Sequence, residues 1–183
     1  MKKRKQIIGI CGSASRNSGN LAILKHIATS EDSAIELEII DDLSVFPHFR
    51  TDQTDDNTPQ KITNIRDKIA RSNGVIICTP EYVFSIPSGL KNLLEWCVST
   101  TVFSDKPVGL ITASAQGEKG HAELQLIMKT IQAVFNEDTT LLIQGIKSKV
   151  SRDGNISASD TTKAIDKLMQ SFKQLINSAA PLG

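Results

Sequence analysis

Cysteine is scarce in this chain: Cys11, Cys78 and Cys97 are the only three, with no C-x-x-C spacing among them. An odd, unpatterned set frames neither a disulfide scaffold nor a zinc or iron–sulfur site. Cys11 and Cys78 lie in apolar runs, where a buried inert thiol is expected. An excess of one charge is also missing. Lysine and arginine number 21 against 20 acids, a formal charge of +1, so no overall field draws the chain to nucleic acid or to a membrane surface. The basic run Lys2–Lys5 reads as a solvated tail. Long apolar runs are absent too. Ile7–Cys11 is interrupted by Gly9 and stops at Gly12, too short for a membrane span, and no secretory-type cleavage site follows. The expectation is a cytoplasmic protein with neither a nucleic-acid nor a membrane partner. His26 and His48 stand alone without ligand spacing, so no metal site is expected.

What is present is ordinary globular composition. With 183 residues, 39% apolar and 22% charged, residues 1–183 fit one domain with a sizeable core. Five apolar segments alternate with helical patterns: Gln6–Cys11, Ile35–Ile40, Val75–Cys78, Val108–Ala113 and Thr140–Ile143. Four are near-continuous apolar runs, as in parallel strands covered on both faces. The second alternates and suits an edge. Such alternation predicts a doubly wound parallel α/β sheet. The helical stripes are Leu21, Leu24 and Ala28; then Ile62, Ile65 and Ile69, with Thr58 as cap and Pro59 at the first position. After Pro87 come Leu90, Leu93, Leu94 and Val98, followed by Leu124, Ile127, Met128, Ile131 and Phe135. The last is Ile165, Leu168, Phe172, Leu175 and Ile176, capped by Ser159 or Asp160. The connection Asp41–Thr58 is long; its Phe46–Arg50 part is placed to cover a ligand, and its acidic part Thr51–Asn57 reads as solvated.

Two loops carry the chemistry. Gly12–Asn20, "GSASRNSGN", joins the first strand to the first helix and offers glycines, hydroxyls and one cation, Arg16. Unpaired N–H groups and the positive dipole end of a helix suit a phosphate there. The loop fits neither G-x-x-x-x-G-K-[ST] nor G-x-G-x-x-G, which argues against a nucleoside triphosphatase or a dinucleotide fold. An ordinary turn capped by Ser18 or Asn20 is the competing reading. The second loop, "CTPEYVFSIPSGLKNLLEW" (Cys78–Trp96), leaves the third strand and enters a helix, with Pro80, Pro87 and Gly89 fixing its shape and Glu81, Tyr82 and Phe84 forming a face. Strand carboxyl ends are where open α/β sheets bind ligands.

Together "GSASRNSGN" and "PEYVFSIPSGLKN" resemble the NADPH-dependent FMN reductase family of the flavodoxin-like superfamily, whose motifs read roughly G-S-x-R-x-x-S-x-N and P-E-Y-N-x-S-x-P-G-x-L-K-N. "SAQGEKGHAELQLIMKTI" from Ser114 resembles the family's third loop and its helix. The resemblance spans Gln6 to Ile143. It implies a flavodoxin-like five-stranded sheet of order 2-1-3-4-5 holding FMN at the switch point. Ser13, Ser18 and Asn20, with Gly19, match the phosphate positions. Arg16 lies one residue past the family's arginine, where Ser15 stands. Pro80, Glu81, Tyr82, Val83, Phe84 and Ser85 match the flavin loop, with Val83 in place of asparagine and Ser88 in place of glycine. Ser114, Gly117 and Gly120 fall where the third loop flanks the ring, and His121 stands where arginine is common.

The resemblance also implies an NAD(P)H-dependent oxidoreductase that reduces a quinone-like or other small electron acceptor in a ping-pong cycle. NADPH or NADH serves as co-substrate, and the protein is a homodimer or homotetramer with Trp96–Phe103 as candidate interface. No side chain is expected to act as catalyst, because hydride transfer is the cofactor's chemistry. Two other classes stand beside it: a flavodoxin-type electron carrier and a flavin-binding module without turnover. Carriers of that type are usually strongly acidic, unlike this chain.

Overall fold

The computed structural model describes residues 4–29, 35–53, 57–151 and 153–179. Lys2, Lys3 and residues 54–56 of the acidic stretch lie outside them. Five parallel strands form one sheet of order β2-β1-β3-β4-β5. They are β1 (Lys5–Cys11), β2 (Ile35–Ile40), β3 (Gly74–Thr79), β4 (Val108–Ser114) and β5 (Thr140–Gln144). Register pairs Cys11 with Cys78 and Cys78 with Ile111, so the central strands end level with one another. β3 is buried at every position, as its β-branched run demands of a strand covered on both faces. β5, read in the sequence as equally covered, is an edge strand with only Ile143 buried.

Among the described residues five α-helices cover the sheet: α1 (Gly19–Thr29), α2 (Gln60–Arg71), α3 (Ser88–Cys97), α4 (Glu118–Thr130) and α5 (Ser159–Ser178). Leu21, Ile23, Leu24 and Ile27 of α1 pack with Ile165, Leu168 and Phe172 of α5 on one face. Ile65 and Ile69 of α2, Leu90, Leu93 and Leu94 of α3, and Leu124 and Met128 of α4 fill the other. Ala28, assigned to the α1 stripe from its spacing, is exposed, and Ile27 takes its place. Val98 is 63% exposed because α3 ends one residue before it.

Two predicted caps also differ. Pro59, not Thr58, is the N-cap residue of α2, since the Thr58 hydroxyl is committed to the Gln53 carbonyl at 3.1 Å. Ala158, not Ser159 or Asp160, occupies the cap of α5. The Phe46–Arg50 segment is not a free cover. Asn92 Nδ2 and Trp96 Nε1 both donate to Pro47 O, at 3.0 and 2.8 Å, and Phe49 N–H donates to Asn92 Oδ1 at 2.7 Å. The Phe49 and Trp96 rings meet edge to face at 5.2 Å. Trp96 and Phe103 are therefore core residues, and of the proposed interface stretch only Val98 is a strongly exposed apolar side chain.

Buried cations fasten the helix ends on the α2–α4 side. Arg66 donates through Nε and Nη2 to Trp96 O and through Nη2 to Ser99 Oγ. Lys106 Nζ donates to Ala70 O and Ser72 O at 3.0 and 2.7 Å, placing a cation at the carbonyl end of α2. Arg66→Met should destabilise the protein by about 1.5–3 kcal/mol, the worth of charge-assisted bonds to a carbonyl left bare. Urea unfolding measures it, and an unchanged midpoint would refute the role.

Candidate functional site

The first loop leaves β1 at Gly12, whose N–H donates to Cys78 O at 2.9 Å. A Cβ here would sit 2.3 Å from Thr79 Oγ1 and 2.7 Å from Thr79 Cβ, so only glycine lets the chain turn this close to β3. Ser13 is buried; its Oγ accepts from Ser15 N–H at 3.2 Å and lies 3.4 Å from Tyr82 OH. Ser18 caps α1, its Oγ accepting from Leu21 N–H at 3.1 Å. The same hydroxyl retains a proton to donate. Of the two caps weighed in the sequence, Ser18 is the one used.

Asn20 is buried with its side chain turned to the sheet. Nδ2 donates to Ala113 O at 3.1 Å, and Oδ1 accepts from Cys78 Sγ at 3.4 Å. Toward the loop it presents its backbone N–H, in the first turn of α1, beside that of Gly19. Arg16 is exposed and forms no ion pair among the described residues. The Asp42 carboxyl is held below its usual range, chiefly by hydrogen bonds from Ser44, with the charges of Arg16 and Lys61 assisting. The loop's own donor set contains no carboxylate, which fits a phosphate group.

The second loop closes on itself. Tyr82 N–H donates to Ser85 O at 2.9 Å and Ser85 N–H to Tyr82 O at 3.1 Å. The two residues between, Val83 (φ 52°) and Phe84 (φ 59°), are both left-handed. Turns of this shape favour Asn-Gly, and a β-branched residue there is strained. The turn is held from α4. Glu123 Oε2 accepts from Ser85 Oγ at 2.6 Å and from Ile86 N–H at 2.9 Å. Glu81 Oε2 accepts from Gly120 N–H at 2.7 Å, a carboxylate at a helix N-terminus. Tyr82 is 41% exposed, Val83 94% and Phe84 71%, so the tip presents an apolar surface.

The third loop leaves β4 at Ser114 and enters α4 through Gly117, whose φ of 92° suits glycine. His121 Nδ1 lies 2.9 Å from Thr112 Oγ1, and burial pushes its imidazole below its usual value of 6.5. Burial likewise raises all three thiols, Cys97 to about 12, in keeping with inert cysteines. The structure therefore brings Ser13, Ser18, Gly19, Asn20, Pro80–Ser85, Ser114, Gly117 and Gly120 to the carboxyl ends of β1, β3 and β4. Among the described residues no cluster of metal-ligating side chains occurs. Sequence reasoning missed Glu123 and the inward role of Asn20. Each acts on a residue far along the chain, and no local pattern marks such a pairing.

Val83→Asn should gain about 0.5–1 kcal/mol of stability, because asparagine tolerates this backbone; urea unfolding that shows no gain would remove the strain. Below pH about 6.5 the unfolded imidazole of His121 takes up a proton that the buried, folded one resists, so stability is lost as pH falls through that value. His121→Gln should flatten the fall in Tm between about pH 7 and pH 5, and equal slopes would contradict it.

Comparison with known proteins agrees with this geometry. The family model for NADPH-dependent FMN reductases matches residues 6–145. The NADH:(hydroxy)cinnamate reductase subunit CrdA of Vibrio ruber is 30% identical over 174 residues, covering 90% of this chain and 84% of that protein. A quinone reductase of Escherichia coli is 28% identical over 134 residues, 72% of this chain and 71% of that one. Among solved structures, the NAD(P)H:(acceptor) oxidoreductase FerB of Paracoccus denitrificans shares the fold, with TM-score 0.80 at 22% identity over 96% of this chain and 98% of that one. An oxidoreductase that works through FMN with a reduced nicotinamide as co-substrate, this chain belongs to the NADPH-dependent FMN reductase family.

Proposed function

We propose that the three loops form one FMN site and that the chain, a single domain over residues 1–183, uses it to reduce quinone-like or other small acceptors in a ping-pong cycle. FMN, when bound, supplies the hydride chemistry, taking hydride from NADPH or NADH and reducing the acceptor once the nicotinamide has left. The observation that carries this reading is the mutual locking of the loops: Ser13 against Tyr82, Glu81 on Gly120 N–H and Glu123 on Ser85.

In this reading Ser13 and Ser18 donate their hydroxyl protons to the phosphate, and the N–H groups of Gly19 and Asn20 complete its shell. Arg16, exposed at the loop's rim, lends positive charge. Pro80–Ser85 on one side and Ser114, Gly117 and Gly120 on the other hold the ring, mostly through backbone groups. Glu81 and Glu123 are already bonded to N–H and O–H donors, so they position the loops and move no proton. The open face beside Tyr82 and Phe84 admits nicotinamide and acceptor in turn, which suits an alternating cycle. The quinone named for the Escherichia coli relative supports a quinone-like acceptor.

The Vibrio ruber relative is by its name a subunit, which favours a second reading in which electrons pass to a partner protein rather than to a small acceptor. Homodimer or homotetramer formation is part of the proposal, with exposed Val83, Phe84, Val98 and Leu126 as the apolar surface to be covered, as is a cytoplasmic setting. Among the described residues no helix is long and apolar enough to cross a membrane.

Purified protein loaded with FMN should bleach with NADPH or NADH under anaerobic conditions and recover its colour on adding a benzoquinone; flavin that stays oxidised would overturn the reading. Ser18→Ala should weaken FMN binding by roughly 1–3 kcal/mol. Ser18→Asp separates cap from phosphate, since the carboxylate still caps α1 but repels the ligand. It should fold with near-normal stability and lose FMN. Full FMN affinity in Ser18→Asp would move the phosphate elsewhere.

A further inference from the structure

A groove of about 650 Å³ opens on the α1 side of the phosphate loop, within the size range of small-molecule sites. One end is Arg16–Gly19. From there it runs along α1 past Leu21, Ala22, Lys25 and His26 to Thr29. Its opposite wall is the connection from β5 to α5, where Ile146, Lys147, Val150 and Ile156 face it. None of the ring-loop residues lines it. Described residues of that wall are paired: Val150 bridges Ile156, Ser151 N–H donates to Asn155 O at 2.8 Å, and Ser157 N–H donates to Lys149 O at 2.9 Å.

The groove's chemistry suits an anion with a flat apolar body. Among the described residues, Arg16, Lys25 and Lys147 line it against one carboxylate, that of Asp153. This local excess of positive charge exceeds that of the whole chain, which is +1. None of these four is in an ion pair among the described residues. Leu21, Ala22, Ile146, Val150 and Ile156 supply an apolar floor between the cations. Nothing in the reading of the FMN site uses this surface beyond Arg16–Gly19.

Resting on the phosphate-loop assignment, we infer that the groove accepts the adenylate half of FAD, so that the chain holds the dinucleotide flavin as well as FMN. FAD differs from FMN by an adenylate joined to the terminal phosphate. A flavin phosphate seated at Gly12–Asn20 places that extension beside Arg16–Gly19, where the groove begins. Lys25 and Lys147 then face the second phosphate, the apolar floor lies under the adenine, and Asp153 or Asn155 accepts from ribose hydroxyls, a role carboxylates play in dinucleotide folds.

Kd values for FMN, FAD and AMP, measured by flavin fluorescence and calorimetry on the full chain and on the double variant Lys25→Glu/Lys147→Glu, test this. Neither lysine belongs to the proposed FMN site, and both are exposed, so the variant should fold. Wild-type protein should bind FAD at least as tightly as FMN. AMP should compete with FAD and leave FMN in place. The double variant should weaken FAD by at least about tenfold, as expected for two lost charge-assisted contacts, while FMN changes less than about twofold. Tight FMN with FAD excluded, or equal weakening of both flavins, overturns the adenylate site and leaves the FMN reading standing. A chain that retains neither flavin overturns both.

Discussion

The carboxamide of Asn20 is the joint on which the top of this sheet depends. It is buried, and it spans two strands, accepting a hydrogen bond from the Cys78 thiol at the end of β3 and donating one to the Ala113 carbonyl oxygen at the end of β4. Each buried partner left unsatisfied would cost about 1–3 kcal/mol. The bond fixes where α1 begins relative to the strands from which the other two loops emerge. The position of the phosphate loop and that of the ring loops therefore have one common reference, and the hydrogen bonds of Glu81 and Glu123 refine an alignment already set.

Charged side chains here serve mainly as fasteners. Arg66 and Lys106 satisfy carbonyls at the ends of α3 and α2, and Glu81 and Glu123 satisfy donors between the second loop and α4. Each is matched to the end it meets, cations on carbonyls and anions on N–H groups, as the helix dipole favours. This arrangement has a chemical side as well. Glu81 and Glu123, the acids at the ring loops, are occupied by N–H and O–H donors of those loops.

Much of this was legible in the sequence. The five strands lie within a residue of their predicted limits, because four are runs of β-branched and apolar residues and the second alternates them with glutamates. Strand order and the three-loop cluster followed from the motif resemblance rather than from periodicity. What was not legible depended on distance along the chain. Asn20 looks like a ligand residue in a polar loop, yet the burial that turns it inward is set by Cys78 and Ala113. Trp96 and Phe103 look like an exposed apolar helix end, yet Pro47 and Phe49 fold back onto Trp96, and Phe103 is buried in the core cluster on the α2–α4 face. The edge character of β5 likewise depends on what covers it, which a short apolar run does not record. The cap residues of α2 and α5 shifted for a related reason, since a hydroxyl beside a helix start has other carbonyls to choose from.

Trp96 is the only tryptophan in the chain, fully buried, with its indole N–H bonded to Pro47 and its ring against Phe49. Its emission is therefore a private optical reporter of one joint, the docking of the 47–50 segment on α3. Detachment of that segment moves a single chromophore from an apolar, hydrogen-bonded seat into water, so this surface carries its own spectroscopic label, with no dye or engineered residue required.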